Sequence, residues 1–330
     1  MATADSLAAI QVTLPVDTLE GELLSRPPAI GLPGFVQPWG DHLLVSDWQG
    51  DPNLHALDRE TGELIVSFGR IGPGPGEFAN MPVGMQMLPH DRNAVWVFDA
   101  RRLTRIEEPG PIASDVAVVD LTAVPTLLHA AWLDSATIIG VNLRPPAKRF
   151  VLFDGAGNVT RTVPGVLLGH DAIPMSLRVD ASLNFSFCVN PRGTGFAVLY
   201  KTAARVEIYD RTAKHVVDAA VPFSTGSLFD RVDGEFRFVP ERFTYSSCWA
   251  SADGLYALYS GGDYYSMDMN ESMGQEIHVF DWNTGGLVRQ LYLDVPILGF
   301  SVVEDSGWLY AGSLADAGIY RFRLPGGGRE

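Results

Sequence analysis

Two segments of this chain concentrate the side chains suited to recognition. Residues 262–273, GDYYSMDMNESM, carry Tyr264, Tyr265, Met267, Met269 and Met273 beside Asp263 and Asp268. Residues 223–243 carry Phe223, Phe229, Phe236, Phe238 and Phe243, interleaved with Arg231, Arg237, Arg242 and several carboxylates. Rings, thioethers and guanidinium groups make the core of a protein interface, with other charges at its rim. The candidate partner-binding residues are therefore Tyr264, Tyr265, Met267 and Met269, with Phe236, Phe238, Arg237 and Arg242. A competing reading has these loops fold over the body and bury their own aromatics. It is weaker for 262–273, because alternating acids and methionines make a poor self-contained core.

Catalysis leaves no comparable mark. The chain has no Gly-x-Ser-x-Gly elbow, His-Glu-x-x-His, phosphate loop or EF-hand spacing. Asp230, Asp233 and Glu235 in DRVDGE lack the further oxygens that a calcium site requires. Seven histidines are scattered, and the two nearest the candidate loops, His129 and His170, read as hydrogen-bonded structural residues. The two cysteines, Cys188 and Cys248, occupy similar places in neighbouring repeats. They are expected as buried free thiols, since equivalent strands of neighbouring repeats should lie too far apart for a disulfide. No catalytic, cofactor-binding or metal-binding residue is assigned, and no cofactor is expected.

The elements that must position these residues come as a repeat. HLLVSD from His42, AVWVFD from Ala94, ATIIGV from Ala136, GFAVLY from Gly195, GLYALY from Gly254 and GWLYAG from Gly307 start 52, 42, 59, 59 and 53 residues apart. That period suits one four-stranded blade plus loops, and radial repetition in β-rich sequence predicts an all-β, six-bladed β-propeller. Strand-like runs flank each copy, as in the first repeat at 35–40, 42–47, 53–58 and 64–69. Inner strands covered on both faces should be apolar in both phases, and these are. Asp58, Asp154, Asp210 and Asp281 each stand where a hairpin turn needs a side-chain acceptor, so they read as turn formers.

The last repeat lacks an outer strand, while Leu7–Pro15 is a spare strand at the amino end. Its pairing with 318–324 would close the ring and leave no open edge in that blade. The whole chain, 1–330, is then one domain, with 1–6 and 326–330 as disordered tails.

Phe68-Gly-Arg-Ile-Gly-Pro-Gly-Pro-Gly-Glu-Phe78, followed by Met81-Pro-Val-Gly and VWVFDARRLTRI, resembles the junction between blades in six-bladed NHL-type and TolB-like propellers. The match covers about 40 residues, and it implies a six-bladed ring but no single activity. Many bacterial members carry export signals, and the amino terminus here lacks the basic start and apolar core of one. As written, the chain reads as cytoplasmic, with an exported form left open.

Net charge bounds the partners. With 39 acidic and 24 basic residues the formal charge is −15, and no basic patch is large enough for nucleic acid. No apolar run approaches the roughly 20 residues needed to span a bilayer, which leaves docking on a membrane-attached assembly open.

In a four-stranded blade the 2→3 turns and the 4→1 crossovers share one end. Nearly all the long segments fall there: 16–34, 70–82, 166–183, 222–243 and 262–275. Binding usually resides on such loops. The leading expectation is thus a non-catalytic scaffold or accessory subunit that binds another protein through its loop-rich face. The alternatives are a metal-dependent, lactonase-like hydrolase acting in the channel, and a small-molecule or peptide receptor. For the hydrolase, the inner strands offer mainly the neutral Gln37, His129, Asn184, Ser186, Ser246 and Ser301.

Overall fold

Strands apolar on both faces have to be covered twice, and a ring of blades does this for every one of them. In the computed structural model, which describes residues 14–326 except 73, 75, 108, 111, 113–115, 143–148 and 166, six sheets stand around a common axis. Blade 1 comprises Pro33–Trp39, His42–Asp47, Leu54–Asp58 and Leu64–Phe68. Blade 2 comprises Gly84–Leu88, Asp91–Phe98, Arg102–Ile106 and Val118–Asp120, and blade 3 Leu127–Trp132, Thr137–Asn142, Phe150–Asp154 and Val159–Val163. Blade 4 comprises Phe185–Val189, Gly195–Tyr200, Val206–Asp210 and His215–Asp218. Blade 5 holds Tyr245–Ala250, Gly254–Tyr259, Gly274–Asp281 and Leu287–Ile297, and blade 6 Gly299–Val303, Trp308–Gly312 and Ile319–Arg323. Six apolar clusters lie one between each pair of neighbouring blades, including blades 6 and 1, so the core is itself a closed ring.

An amino-terminal strand completes blade 6, but it is not the one expected. Gly21–Ser25 pairs antiparallel with Ile319–Arg323, and Glu22 accepts from both Arg321 Nε and Nη2 at 2.7 Å. Just before it, Val16–Leu19 runs parallel to Leu287–Ile297 as a fifth strand of blade 5. Asp17 pairs with Arg289 at 3.0 Å, and Gly21 N donates to Asp294 at 2.8 Å. The segment 16–34, read from sequence as a loop, therefore covers the edges of two blades. Most of Leu7–Pro15, and nearly all of both expected tails, lie outside the described residues.

The turn aspartates do what their positions predict. Asp58 accepts from Glu60 N and Thr61 N, Asp154 from Ala156 N and Asn158 N, Asp210 from Thr212 N and Lys214 N, and Asp281 from Asn283 N and Thr284 N. In the Phe68–Phe78 junction Glu77 accepts from Gly74 N at 2.7 Å, and Phe78 is buried between blades 1 and 2. Gly69, at φ +77°, leaves room for the Phe78 ring, which a Cβ there would meet at 2.7 Å.

The cysteines overturn an expectation. Cys188 and Cys248 form a disulfide, with a Cα separation of 6.2 Å. Both lie on innermost strands, Phe185–Val189 and Tyr245–Ala250, where blades converge on the axis. Convergence there also brings Ser186 Oγ within 2.9 Å of the Ser246 carbonyl. Equivalent outer strands would be too far apart; innermost ones are not.

Candidate partner-binding face

The long segments at the 2→3 and 4→1 end have structure of their own. Residues 166–183 include a helix, Met175–Leu183, which sequence reading missed. Its Ser182 hydroxyl accepts from Leu168 N at 2.8 Å and donates to the Arg178 carbonyl, tying the helix to the crossover. Residues 222–243 include a hairpin of Phe229–Val232 and Glu235–Phe238, with Phe229 opposite Phe238 and Arg231 opposite Phe236. Those four residues share one face, while Asp230, Arg237, Val232 and Glu235 share the other. The aromatic face is turned inward. Phe229 and Phe238 pack on the cluster between blades 3 and 4, and the Arg231 guanidinium lies over the Phe236 ring at 4.6 Å. Gly169, at φ +82°, gives Phe229 its close approach.

Loop 262–273 lies against this hairpin. The Tyr264 ring meets Phe238 at 6.1 Å and Phe243 at 5.2 Å, and Arg242 forms a backbone bridge with Asp263. The two candidate segments are thus adjacent. Phe238 and Tyr264 are half-buried in the contact between them, Phe236 is half-buried beside His170 and Arg231, and Arg237 and Arg242 are exposed. Beyond them the loop presents Tyr265, Met267 and Met269, which are 62%, 98% and 47% exposed. It is held in shape from within. Asp263 accepts from Tyr265 N, Asp268 caps the short 3-10 turn Met269–Ser272 through Asn270 N, and Glu271 accepts from Asp263 N at 3.0 Å. Large apolar side chains therefore stand out from an ordered loop, with Asp263 and Asp268 beside them.

Some polar groups of the innermost strands join blades, while the buried Ser246 and Ser301 hydroxyls have no hydrogen-bond partner among the described residues. Gln86 exchanges two hydrogen bonds of 2.8 Å with the Trp132 backbone, and Ser186 reaches Ser246 as above. Gln37 donates to the Pro38 carbonyl, and the Asn184 carbonyl accepts from Lys201 N. His129 is packed on Phe185 and Phe187, its pKa pushed down to about 4 by burial and then by Lys201. Burial likewise lowers the pKa of Lys201. Among the described residues, no three His, Cys, Asp or Glu side chains are grouped closely enough to hold a metal ion.

One arrangement that sequence reading missed has the composition of a hydrolytic triad. Ser67 Oγ lies 2.7 Å from His55 Nδ1, whose Nε2 is 3.8 Å from Asp47 Oδ2. Ser67 and His55 are opposite neighbours on blade 1, and Asp47 spends its oxygens on the Gly31 and Leu32 amides of the incoming crossover and on the Gln49 amide of the turn that follows it. The last distance is too long for the hydrogen bond that orients a catalytic histidine, so the group works as a clamp on the chain. A second missed group joins blades 3 and 4. Arg149, Glu207, Tyr200 and Tyr209 form a buried network, with Arg149 Nη1 3.0 Å from Glu207 Oε2 and both tyrosine hydroxyls donating to that oxygen.

A family model for TolB-like six-blade propellers matches residues 30–305. The chain belongs to this family. No curated protein matches it. Similar solved structures include regucalcin of Agrobacterium tumefaciens strain C58, a calcium-binding protein, at 12% identity and TM-score 0.54, covering 96% of this chain and 97% of that one. A luciferin-regenerating enzyme is 10% identical at TM-score 0.52, covering 93% and 96%. The Neurospora crassa Pan2 WD40 domain is 10% identical at TM-score 0.50, covering 93% and 94%. At these identities the likeness is one of fold, and fold does not carry activity.

Proposed function

We propose that this TolB-like propeller is a binding subunit that holds another protein against the loop-bearing face of blades 4 and 5. The observation that carries this reading is the ordered loop 262–273, with Tyr265, Met267 and Met269 standing into solvent. Tyr264 seats the loop on Phe238 and Phe243, with Phe236 further along the hairpin, and Arg237 and Arg242 lie at the rim. The acids of the loop and the net charge of −15 favour a partner with a basic contact surface. Gln86 and Ser186 of the inner strands join blades, which takes these two polar groups out of any chemistry in the channel. The disulfide supports a working place that is oxidising.

A photo-crosslinking amino acid at position 267, compared with one at Val159 on an outer strand, tests the proposal in extracts of the source cells. A discrete adduct is expected at 267 and none at 159, and Tyr265→Ala with Met269→Ala, carried beside the crosslinker at 267, should abolish it. Adducts equally abundant at both positions, or a metal-dependent lactone or ester hydrolysis by the purified protein, would replace this reading.

A further inference from the structure

A cavity of about 360 Å³ lies behind the same loop, walled by Tyr259, Glu271, Met273, Glu276, Tyr292 and Pro296. Its floor is set by sheet register. Tyr259 stands opposite Glu276, and Glu276 opposite Tyr292, so a carboxylate is flanked by two tyrosines on one face of three adjacent strands. The Glu276 side chain is 51% exposed and Tyr292 is 39% exposed, so both can be reached from solvent. Glu271 adds a second carboxylate to the wall, and no arginine or lysine lines it.

The carboxylate is held in place from behind. Glu276 Oε2 lies 3.5 Å from Nε2 of the buried His278, whose Nδ1 is 2.9 Å from the Tyr245 hydroxyl. The contact with His278 keeps the Glu276 carboxyl below its ordinary range, so it carries charge at neutral pH. The Tyr259 ring is braced by Phe223 at 4.4 Å and by His278 at 5.8 Å. A fixed negative charge between aromatic rings, with an aliphatic floor of Met273 and Pro296, is complementary to a cation on an apolar stem. Carboxylate attraction and the ring quadrupole favour the same guest.

We propose that this cavity is a recognition site for an organic cation, a guanidinium or alkylammonium group, which Glu276 pairs with between Tyr259 and Tyr292. The site is independent of the protein-binding surface outside the loop and stands whether or not that surface has a partner.

Calorimetric titration of the full chain with agmatine, butylamine and choline tests it, each set against a neutral isostere of the same shape. Saturable binding of at least one cation is expected, with its isostere at least tenfold weaker. Glu276→Gln should weaken the cation tenfold or more, and Tyr292→Ala severalfold, with unchanged far-ultraviolet circular dichroism. Capped tripeptides Gly-Arg-Gly and Gly-Lys-Gly identify the source. Free amines binding as well as the peptides marks a small-molecule site; peptides binding at least tenfold better marks a side chain presented by a protein. No binding of any cation or peptide at tens of millimolar, isosteres binding equally, or full affinity in folded Glu276→Gln would overturn the assignment.

Discussion

Cys188 and Cys248 are bonded between the innermost strands of blades 4 and 5, at a Cα separation of 6.2 Å. These are the blades that carry the aromatic hairpin and loop 262–273. The bond spans a sequence separation of 60 and restricts the unfolded chain, a type of cross-link typically worth about 2–4 kcal/mol. Thermal unfolding with and without reductant should therefore show a lower Tm for the reduced protein, and Cys248→Ala should match it. Equal melting of oxidised and reduced protein would mean that the covalent tie adds nothing to the apolar packing of the two blades.

His129 predicts an acid-sensitive stability. Its folded pKa is near 4, against an ordinary value of 6.5, because burial and the neighbouring Lys201 oppose a second charge. Between those values the unfolded chain binds more protons than the folded one, so stability falls as pH falls across this window. The shift corresponds to about 3 kcal/mol at full effect. His55, also lowered by burial, acts in the same direction. Urea unfolding at pH 7 and pH 4.5 should show the loss, and His129→Gln should remove part of its slope. A slope that is unchanged in the variant would assign the effect elsewhere.

Strand rhythm was legible because inner strands must be apolar in both phases, and HLLVSD, AVWVFD and their relatives say so directly. The turn aspartates were legible because one side chain satisfies its own turn. What could not be read was distance across the ring. Cys188 and Cys248, or Arg149 and Glu207, meet only because neighbouring blades converge, and no local pattern records that. Leu7–Pro15 holds the alternating, β-branched run Ile-Gln-Val-Thr-Leu, whereas Gly21–Ser25 reads GELLS with no alternation, so pattern pointed to the earlier segment and only the pairing itself singles out the later one. Loop 262–273 was marked by composition alone; its division into the seated Tyr264 and the exposed Tyr265, Met267 and Met269 depended on the hairpin beneath.

Ring closure rests on Gly21–Ser25. Removing residues through Ser25 uncovers the backbone edge of Ile319–Arg323 and removes the Glu22–Arg321 pair. An uncovered edge invites strand addition between molecules. The truncated protein should elute in part as oligomers in size-exclusion chromatography and melt at a lower temperature. A monomer as stable as the full chain would show that three strands suffice for blade 6.

The Arg149–Glu207 pair predicts a larger, asymmetric effect. Both side chains are almost fully buried, and Glu207 also meets Arg205 at 2.9 Å and both tyrosine hydroxyls. Arg149→Met leaves a buried carboxylate short of one cation, for which losses of about 3–5 kcal/mol are usual. Arg149→Met with Glu207→Gln should recover part of this, since no uncompensated charge then remains. Denaturant midpoints of the single and double variants measure the difference. A double variant less stable than either single one would show that the tyrosines depend on the charges for their positions.

The partner surface gives the sharpest contrast between neighbouring residues. Tyr264 packs on Phe238 and Phe243, whereas Met267 is 98% exposed and touches solvent on nearly every side. Tyr265→Ala with Met267→Ala removes only the edge-on contact of the Tyr265 ring with Tyr264, at 5.5 Å on the exposed side of the loop, so its stability should stay within about 1 kcal/mol of the parent. Affinity for a crosslinked partner, once purified, should fall by about 2 kcal/mol or more if either residue is an anchor. Tyr264→Ala should behave in the opposite order. It unseats the loop from the hairpin, so melting falls first and binding is lost because Tyr265 and Met267 no longer hold one position. Measuring both quantities for both variants separates contact from support. Should Tyr265→Ala with Met267→Ala bind as well as the parent while Tyr264→Ala melts early, the partner must read another part of the loop-bearing face. The outward side of the hairpin, with Arg237, would then be the surface to substitute next.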